Sequence, residues 1–257
     1  MSGADTLQGL QVLVTRPAEQ AEALCSLIEQ AGGVAVRLPL LAAAPVANPA
    51  AAAAHLDAAR DDDIWIFTSA NAVRFAAALD SGRWPRTLAA AGKATAAALR
   101  EAGRSAVFAP AAGDGTPGLL ADPAFAAVRG RPMLIVTGES SLPDLAAGLR
   151  NRGALVEQLA VYRRVPVGQP QAAVAAALDR CDAAIVTSAE VLAQLWSQTP
   201  AASRPRLLRL QLALPSPRVV EEARKFGFER PPLLPARVSD AAFVELLLEW
   251  RRQNDAR

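Results

Sequence analysis

Short apolar runs alternate along the chain with stretches patterned as amphipathic helices. Val12–Val14 leads into Glu19–Gln30, Ile64–Phe67 into Asn71–Leu79, Met133–Val136 into Leu142–Arg150, and Ala184–Val186 into Glu190–Trp196. Runs this short, bounded by turn residues and separated by helix-length segments, predict buried parallel strands joined by crossover helices, an α/β fold. Each run ends in small or turn-forming residues just before its helix: Thr15-Arg16-Pro17, Thr68-Ser69, Ala91-Gly92, Thr137-Gly138, Thr187-Ser188 and Pro215-Ser216-Pro217. Residues of these types cap helix N-termini, where the first N–H groups have no partner within the helix.

Laid over itself with a shift of about 120 residues, the sequence partly repeats. Gln11–Thr15 aligns with Pro132–Thr137, Asp63–Ala70 with Asp182–Ala189, and Gly92 with Ser216. Both leading segments continue through a helix, to Gly33-Val34-Ala35-Val36 in one case and Gly153-Ala154-Leu155-Val156 in the other. An internal duplication producing two similar α/β halves is the simplest reading; the other is the generic likeness of any two βα units. A plain tandem duplication would divide the chain near Val128-Arg129-Gly130.

Composition narrows the partners. The 257 residues are 52% hydrophobic and 20% charged, the range of folded globular chains. Their 27 basic and 25 acidic residues give +2, too little to attract nucleic acid or an anionic membrane over the whole surface. Lys93 and Lys225 are the only lysines, so arginine supplies nearly all the positive charge. Cys25 and Cys181 lack CxxC spacing and the one histidine is His55, which leaves neither a disulfide framework nor a metal-ligand cluster. The uncharged run Leu38–Leu56 is broken by Pro39, Pro45 and Pro49 and would not span a bilayer as one helix. The start of the chain carries Asp5, no basic cluster and no long apolar region before Arg16, so no signal peptide is expected and the cytoplasm is the expected compartment.

Few familiar motifs are present. Gly113-Asp114-Gly115-Thr116-Pro117-Gly118 has GxGxxG spacing after the strand-like Ala106–Ala109, with Glu139 further on. Pro110-Ala111-Ala112 separates that strand from the first glycine and Asp122-Pro123 interrupts the helix that a dinucleotide site requires, so a loop is expected there. His55 lies in the helical stretch Pro49–Arg60 as a surface residue, and Asp61-Asp62-Asp63 reads as a solvated turn. GxSxG, Walker and HExxH motifs are absent. What remains is the set of Thr, Ser and Gly turns at strand ends, where backbone N–H groups and helix dipoles hold carboxylates or phosphates. Taken singly each is an ordinary cap; together they favour a small polyanionic ligand at the carboxyl ends of the strands.

Four segments in order carry a resemblance: Val12-Leu13-Val14-Thr15-Arg16-Pro17, Phe67-Thr68-Ser69-Ala70-Asn71-Ala72-Val73, Gly92-Lys93-Ala94-Thr95-Ala96-Ala97-Ala98-Leu99, and Val161-Tyr162-Arg163 ahead of Thr187-Ser188. Over nearly its whole length the chain resembles the uroporphyrinogen-III synthase family. It departs from the family pattern at Gly138-Glu139-Ser140, which lacks an arginine, at Pro215-Ser216-Pro217, which replaces a Gly-Pro-Thr turn, and at Glu190, which replaces a small residue.

The resemblance implies two flavodoxin-like three-layer α/β domains with parallel sheets, joined by a two-stranded β connector, with a cleft between them. Residues 1–38 and 168–257 would then form one discontinuous domain, and 39–167, connector strands included, the inserted one, its body spanning 44–161. Val34–Ala44 and Leu155–Val167 hold equivalent places in the repeat and are β-prone, which suits them to pair as that connector.

The implied activity closes hydroxymethylbilane into uroporphyrinogen III with loss of water and inversion of ring D, a hydro-lyase reaction of haem biosynthesis. It implies a monomer that uses no cofactor and no metal. Tyr162, the only tyrosine, matches a cleft-facing position and is implied as the catalytic donor to the departing hydroxyl; filling an interdomain seam is its alternative role. The expected substrate contacts are Arg16, Thr68, Ser69, Asn71, Gly92, Lys93, Thr95, Gly138, Thr187, Ser188 and Ser216. Two other functions stand beside this one: a non-catalytic bilobed binder of a small polyanion, disfavoured without an export signal, and a nucleotide-dependent oxidoreductase built on the Gly113–Gly118 loop.

Overall fold

The computed structural model describes residues 6–79, 82–104, 107–110, 115–139 and 143–255. The chain divides into two compact units, Met1–Ala42 with Val165–Arg257, and Ala43–Arg164. It begins in the first unit with β1 (Gln11–Val14), α1 (Ala18–Gln30) and β2 (Val34–Arg37). It enters the second through β3 (Leu41–Pro45) and continues with α2 (Pro49–Asp57), β4 (Ile64–Phe67), α3 (Ala70–Ala78), β5 (Thr87–Ala90) and α4 (Lys93–Glu101). There follow β6 (Val107–Phe108), α5 (Gly115–Ala121), β7 (Pro132–Gly138), α6 (Asp144–Asn151) and β8 (Leu155–Pro166), which leads back to the first unit. That unit is completed by α7 (Gln171–Arg180), β9 (Ala183–Ile185), α8 (Ala189–Gln198), α9 (Arg204–Leu207), β10 (Gln211–Ala213), α10 (Pro217–Lys225) and α11 (Asp240–Asp255).

The first unit holds a parallel four-stranded sheet in the order β10-β9-β1-β2. Because successive side chains of a strand point to opposite faces, neighbouring residues serve different cores. Val12 and Val14 join Leu24, Cys25 and Ile28 of α1 and Phe243 and Leu247 of α11, while Leu13, Ala184 and Leu212 join Leu178 of α7, Leu192 and Leu195 of α8 and Val219 of α10. The result is helix, sheet and helix in three layers.

The second unit repeats the scheme on a six-stranded sheet, β3-β8-β7-β4-β5-β6, whose strands from β8 to β6 all run parallel. Ile64, Ile66, Met133 and Ile135 face Leu119 of α5 and Leu145 and Leu149 of α6. Trp65, Phe67, Leu134 and Val136 face Val73 and Ala76 of α3 and Leu99 of α4. Strands buried on both faces read as continuous apolar runs, which is why Ile64-Trp65-Ile66-Phe67 shows no polar alternation.

Three local expectations change. Val34–Ala44 is not one connector strand: it splits at Leu38-Pro39-Leu40 into β2, at the edge of the four-stranded sheet, and β3, which pairs with β8. Pro39 has no N–H for a ladder and restricts the residue before it, so one strand cannot run through. Within the GxGxxG stretch, Gly115–Gly118 opens helix α5 instead of a loop, with Pro117 tolerated in the first turn; Gly113 and Asp114 lie outside the described residues. The helix through His55 stops at Asp57 instead of reaching Arg60. Ala106, Ser140 and Leu142 also lie outside the described residues. Among the described residues no helix is long and apolar enough to cross a membrane, and no group of His, Cys, Asp and Glu is placed to hold a metal ion.

Candidate functional site

Four strand-to-helix turns share one backbone geometry. The residues capping α3, α4, α8 and α10, namely Ser69, Gly92, Ser188 and Ser216, are all extended, with φ between −159° and −170°. Ser69 Oγ accepts from Ala72 N at 3.1 Å and Ser188 Oγ from Val191 N at 3.2 Å. Gly92 has no side chain to offer and Ser216 makes no side-chain cap bond, so neither the first turn of α4 nor that of α10, which opens on Pro217, is capped by a side chain.

In the second unit, side chains converge where β4 and β7 end beside β8. Thr68 N continues the ladder to Val136 O at 3.1 Å, and Thr68 Oγ1 donates to Thr137 Oγ1 at 2.8 Å. Ser69 Oγ lies 3.3 Å from the hydroxyl of Tyr162. A bulge puts that tyrosine there: Thr137 is opposite Ala160, but Gly138 is opposite Tyr162, so Val161 is skipped. Glu139 N then donates to Tyr162 O at 3.0 Å and closes the turn.

The Tyr162 ring lies flat on the β7 backbone. A Cβ at Gly138 would stand 2.7 Å from Tyr162 Cζ, so only glycine admits the ring. Phe75 of α3 stacks on it with centroids 5.6 Å apart and planes 23° apart. The residue is 8% exposed, its ring in the core and its hydroxyl at the strand end. Asn71 and Thr95 are buried on the first turns of α3 and α4, and Lys93 is exposed at the start of α4.

In the first unit, Thr15 is fully buried and donates through Oγ1 to Ile185 O at 2.9 Å, tying β1 to β9 at their carboxyl ends. Arg16 follows, and its Nη1 lies 2.5 Å from Asp240 Oδ1 at the start of α11, so any anion at Arg16 shares the guanidinium with Asp240. Thr187 is half-buried beside Ser188 at the end of β9.

The structure therefore brings Thr68, Ser69, Gly138 and Tyr162 into one contact network, places Asn71, Gly92, Lys93 and Thr95 on the adjoining turns, and sets Arg16, Thr187, Ser188 and Ser216 at the strand ends of the other unit. Sequence reasoning missed Thr137, Phe75 and Asp240 as members. Thr137 was detectable as the repeat partner of Thr15; Phe75 and Asp240 were not, because their partners lie 87 and 224 positions away.

Neither cysteine offers a nucleophile. Burial pushes the Cys25 thiol above its ordinary range and the Cys181 thiol up to about 11, which disfavours the reactive thiolate. At the surface, a 2.6 Å hydrogen bond from Arg37 Nη1 holds the Glu22 carboxyl below its usual value and raises the arginine in turn. His55 Nε2 sits 3.1 Å from Glu157 Oε2 beside a 560 Å³ depression lined by Trp65 and Met133, at the amino ends of the strands and away from the turns above.

Two three-layer units built on parallel sheets, whose strands end in Ser, Thr and Gly turns, define a protein of the α/β class. A family model described as Uroporphyrinogen-III synthase HemD matches residues 22–241. The chain is 30% identical over 228 residues to the uroporphyrinogen-III synthase of Escherichia coli (strain K12), an alignment covering 86% of this chain and 93% of that one, and equally so to its counterpart in Salmonella typhimurium. Its fold is similar to that of uroporphyrinogen-III synthetase from Helicobacter pylori, with TM-score 0.60 at 15% identity over 94% of this chain and 99% of that one. A mutant uroporphyrinogen III synthase from Thermus thermophilus gives TM-score 0.55 at 22% identity over 96% and 100%. The chain belongs to the uroporphyrinogen-III synthase family, enzymes of haem biosynthesis.

Proposed function

We infer that the chain carries out the reaction of its family, closing hydroxymethylbilane to uroporphyrinogen III with loss of water and inversion of ring D. The observation that carries the site assignment is the Tyr162 hydroxyl held at a strand end, 3.3 Å from Ser69 Oγ, among turns suited to carboxylates. The pyrrole nitrogen of the ring that bears the hydroxymethyl group pushes its electron pair through that ring toward the exocyclic carbon, and the C–O bond breaks. Tyr162 donates a proton as the hydroxyl leaves as water, and an azafulvenium cation remains. The protein's larger task is orientation: it holds the chain so that the cation is attacked at the substituted carbon of ring D. The bond from that carbon to the methylene bridge of ring C then breaks and re-forms at the free α-carbon of ring D, which inverts the ring, and the proton this carbon loses returns to the phenolate.

Carboxylates of the linear tetrapyrrole are received at Thr68, Ser69, Asn71, Gly92, Lys93, Thr95 and Gly138 of the second unit, and at Arg16, Thr187, Ser188 and Ser216 of the first. Helix N-termini suit this task because they attract anions without the flexibility of long cationic side chains. The working form in this reading is a cytoplasmic monomer that needs no cofactor, metal or nucleic acid.

The test supplies hydroxymethylbilane and resolves the oxidised type I and type III porphyrins. Wild type is expected to yield type III. Tyr162→Phe, whose ring still packs on Phe75, is expected to fold normally and to lose about 10²-fold in kcat, the scale of a general acid. Type I product alone from wild type would overturn the function, and an unchanged kcat in Tyr162→Phe would overturn the acid role.

A further inference from the structure

Ser69 faces two partners whose hydrogen-bonding roles differ. Ala72 N is a pure donor, and it occupies one lone pair of Ser69 Oγ at 3.1 Å. Tyr162 OH, at 3.3 Å, is able to donate or to accept. The Ser69 proton has to go somewhere, and among the described residues the phenolic oxygen is its neighbouring acceptor. A hydroxyl that already accepts from an N–H is polarised into a better donor, so the chain of bonds strengthens in the direction Ala72 N–H to Ser69 O–H to Tyr162 O. Tyr162 is held for this contact by the close approach of Gly138 to its ring and by the stacked ring of Phe75.

We propose that Ser69 is a positioning residue for Tyr162: it donates to the phenolic oxygen and so turns the phenolic proton away from the protein, toward the leaving hydroxyl of the substrate. The proposal rests on the acid role of Tyr162 given above. In it, the first turn of α3 acts on the reaction through two hydrogen bonds, its partial positive charge carried by Ser69 to the acid. No covalent step occurs at Ser69; the serine keeps its proton throughout, and only Tyr162 gives one up and takes one back.

A single tyrosine makes the direction of this bond observable without substrate. The ring-mode doublet of tyrosine in ultraviolet Raman spectra changes its intensity ratio according to whether the phenol accepts or donates, and here it reports Tyr162 alone. Full-length wild type is expected to show the acceptor signature. Ser69→Ala removes the donor and shifts the ratio toward that of an unbonded phenol. Ser69→Asp keeps the helix cap but accepts only, so it is expected to turn the phenol into a donor and move the ratio further still. Ser69→Thr retains both cap and donor and is expected to restore the acceptor signature.

In the type III assay, Ser69→Ala is expected to lower kcat about 3–10-fold, whatever KM does through its substrate contact, and Ser69→Ala/Tyr162→Phe to keep the kcat of Tyr162→Phe. A donor signature in wild type, a wild-type spectrum in Ser69→Asp, or additive losses in the double variant would each overturn the proposal. The spectra decide the bond's direction even if no type III product forms, so failure of the relay and failure of the functional reading are told apart.

Discussion

Replacing Gly138 by alanine would drive a methyl group into the Tyr162 ring. The added Cβ would stand 2.7 Å from Tyr162 Cζ and 3.0 Å from both Cε atoms, whereas packed carbons sit about 3.5–4.0 Å apart. The ring must retreat by about 1 Å, and the stacked ring of Phe75 restricts where it can go. Overpacking of this kind costs about 1–3 kcal/mol. Gly138 does not occupy the positive-φ region, so alanine is compatible with the backbone and returns about 0.4–1 kcal/mol by stiffening the unfolded chain. A net loss of about 1–2 kcal/mol corresponds to a fall in Tm of about 3–8 °C. Activity suffers more than stability. Moving the phenol by that distance breaks its contact with Ser69, and a misplacement of about 1 Å costs on the order of 10²-fold in rate. Scanning calorimetry and the type III assay on one preparation measure both quantities. Gly138→Ala/Tyr162→Leu, which removes the clash, is expected to regain the lost Tm but not the rate. A Gly138→Ala protein that melts and turns over like wild type would refute the argument.

Two further outcomes follow from the topology and the buried thiols. A fragment spanning 43–164, which contains nearly the whole six-stranded sheet, is expected to unfold cooperatively on its own, whereas 1–128 lacks β7, β8, β9 and β10 and is not; the opposite pattern in thermal melts would reject the discontinuous organisation. The Cys181 thiol, pushed up from 9.0 to about 11 by burial, favours its neutral form in the folded state, so its contribution is intact below about pH 9 and is lost as pH rises toward 11. That contribution is about 2–3 kcal/mol, and urea midpoints should fall across this window in wild type and by less in Cys181→Ala, with parallel curves counting against it.

The segments that the sequence made legible are those whose signal is local. Val12–Val14, Ile64–Phe67 and Met133–Val136 are apolar because both faces of a parallel strand are covered, and Ser69, Gly92, Ser188 and Ser216 stand where strands turn into helices because those turns require caps. Both patterns depend on neighbours within a few residues, so they survive being read without a structure.

What only the tertiary structure decided are the features set by register and distant pairing. The split of Val34–Ala44 depends on which sheet each half joins, and an apolar β-prone run looks the same in either. The bulge that skips Val161 leaves no mark in composition, yet it aims Tyr162 at Ser69. Gly138 reads as a turn glycine until the ring is seen lying where its Cβ would be. Arg16 reads as an open cation until Asp240, 224 residues later, is brought to its guanidinium. A sequence specifies which residues prefer a strand, a cap or a core; a site is made of contacts between residues remote along the chain, and those exist only once packing has fixed which strand lies beside which.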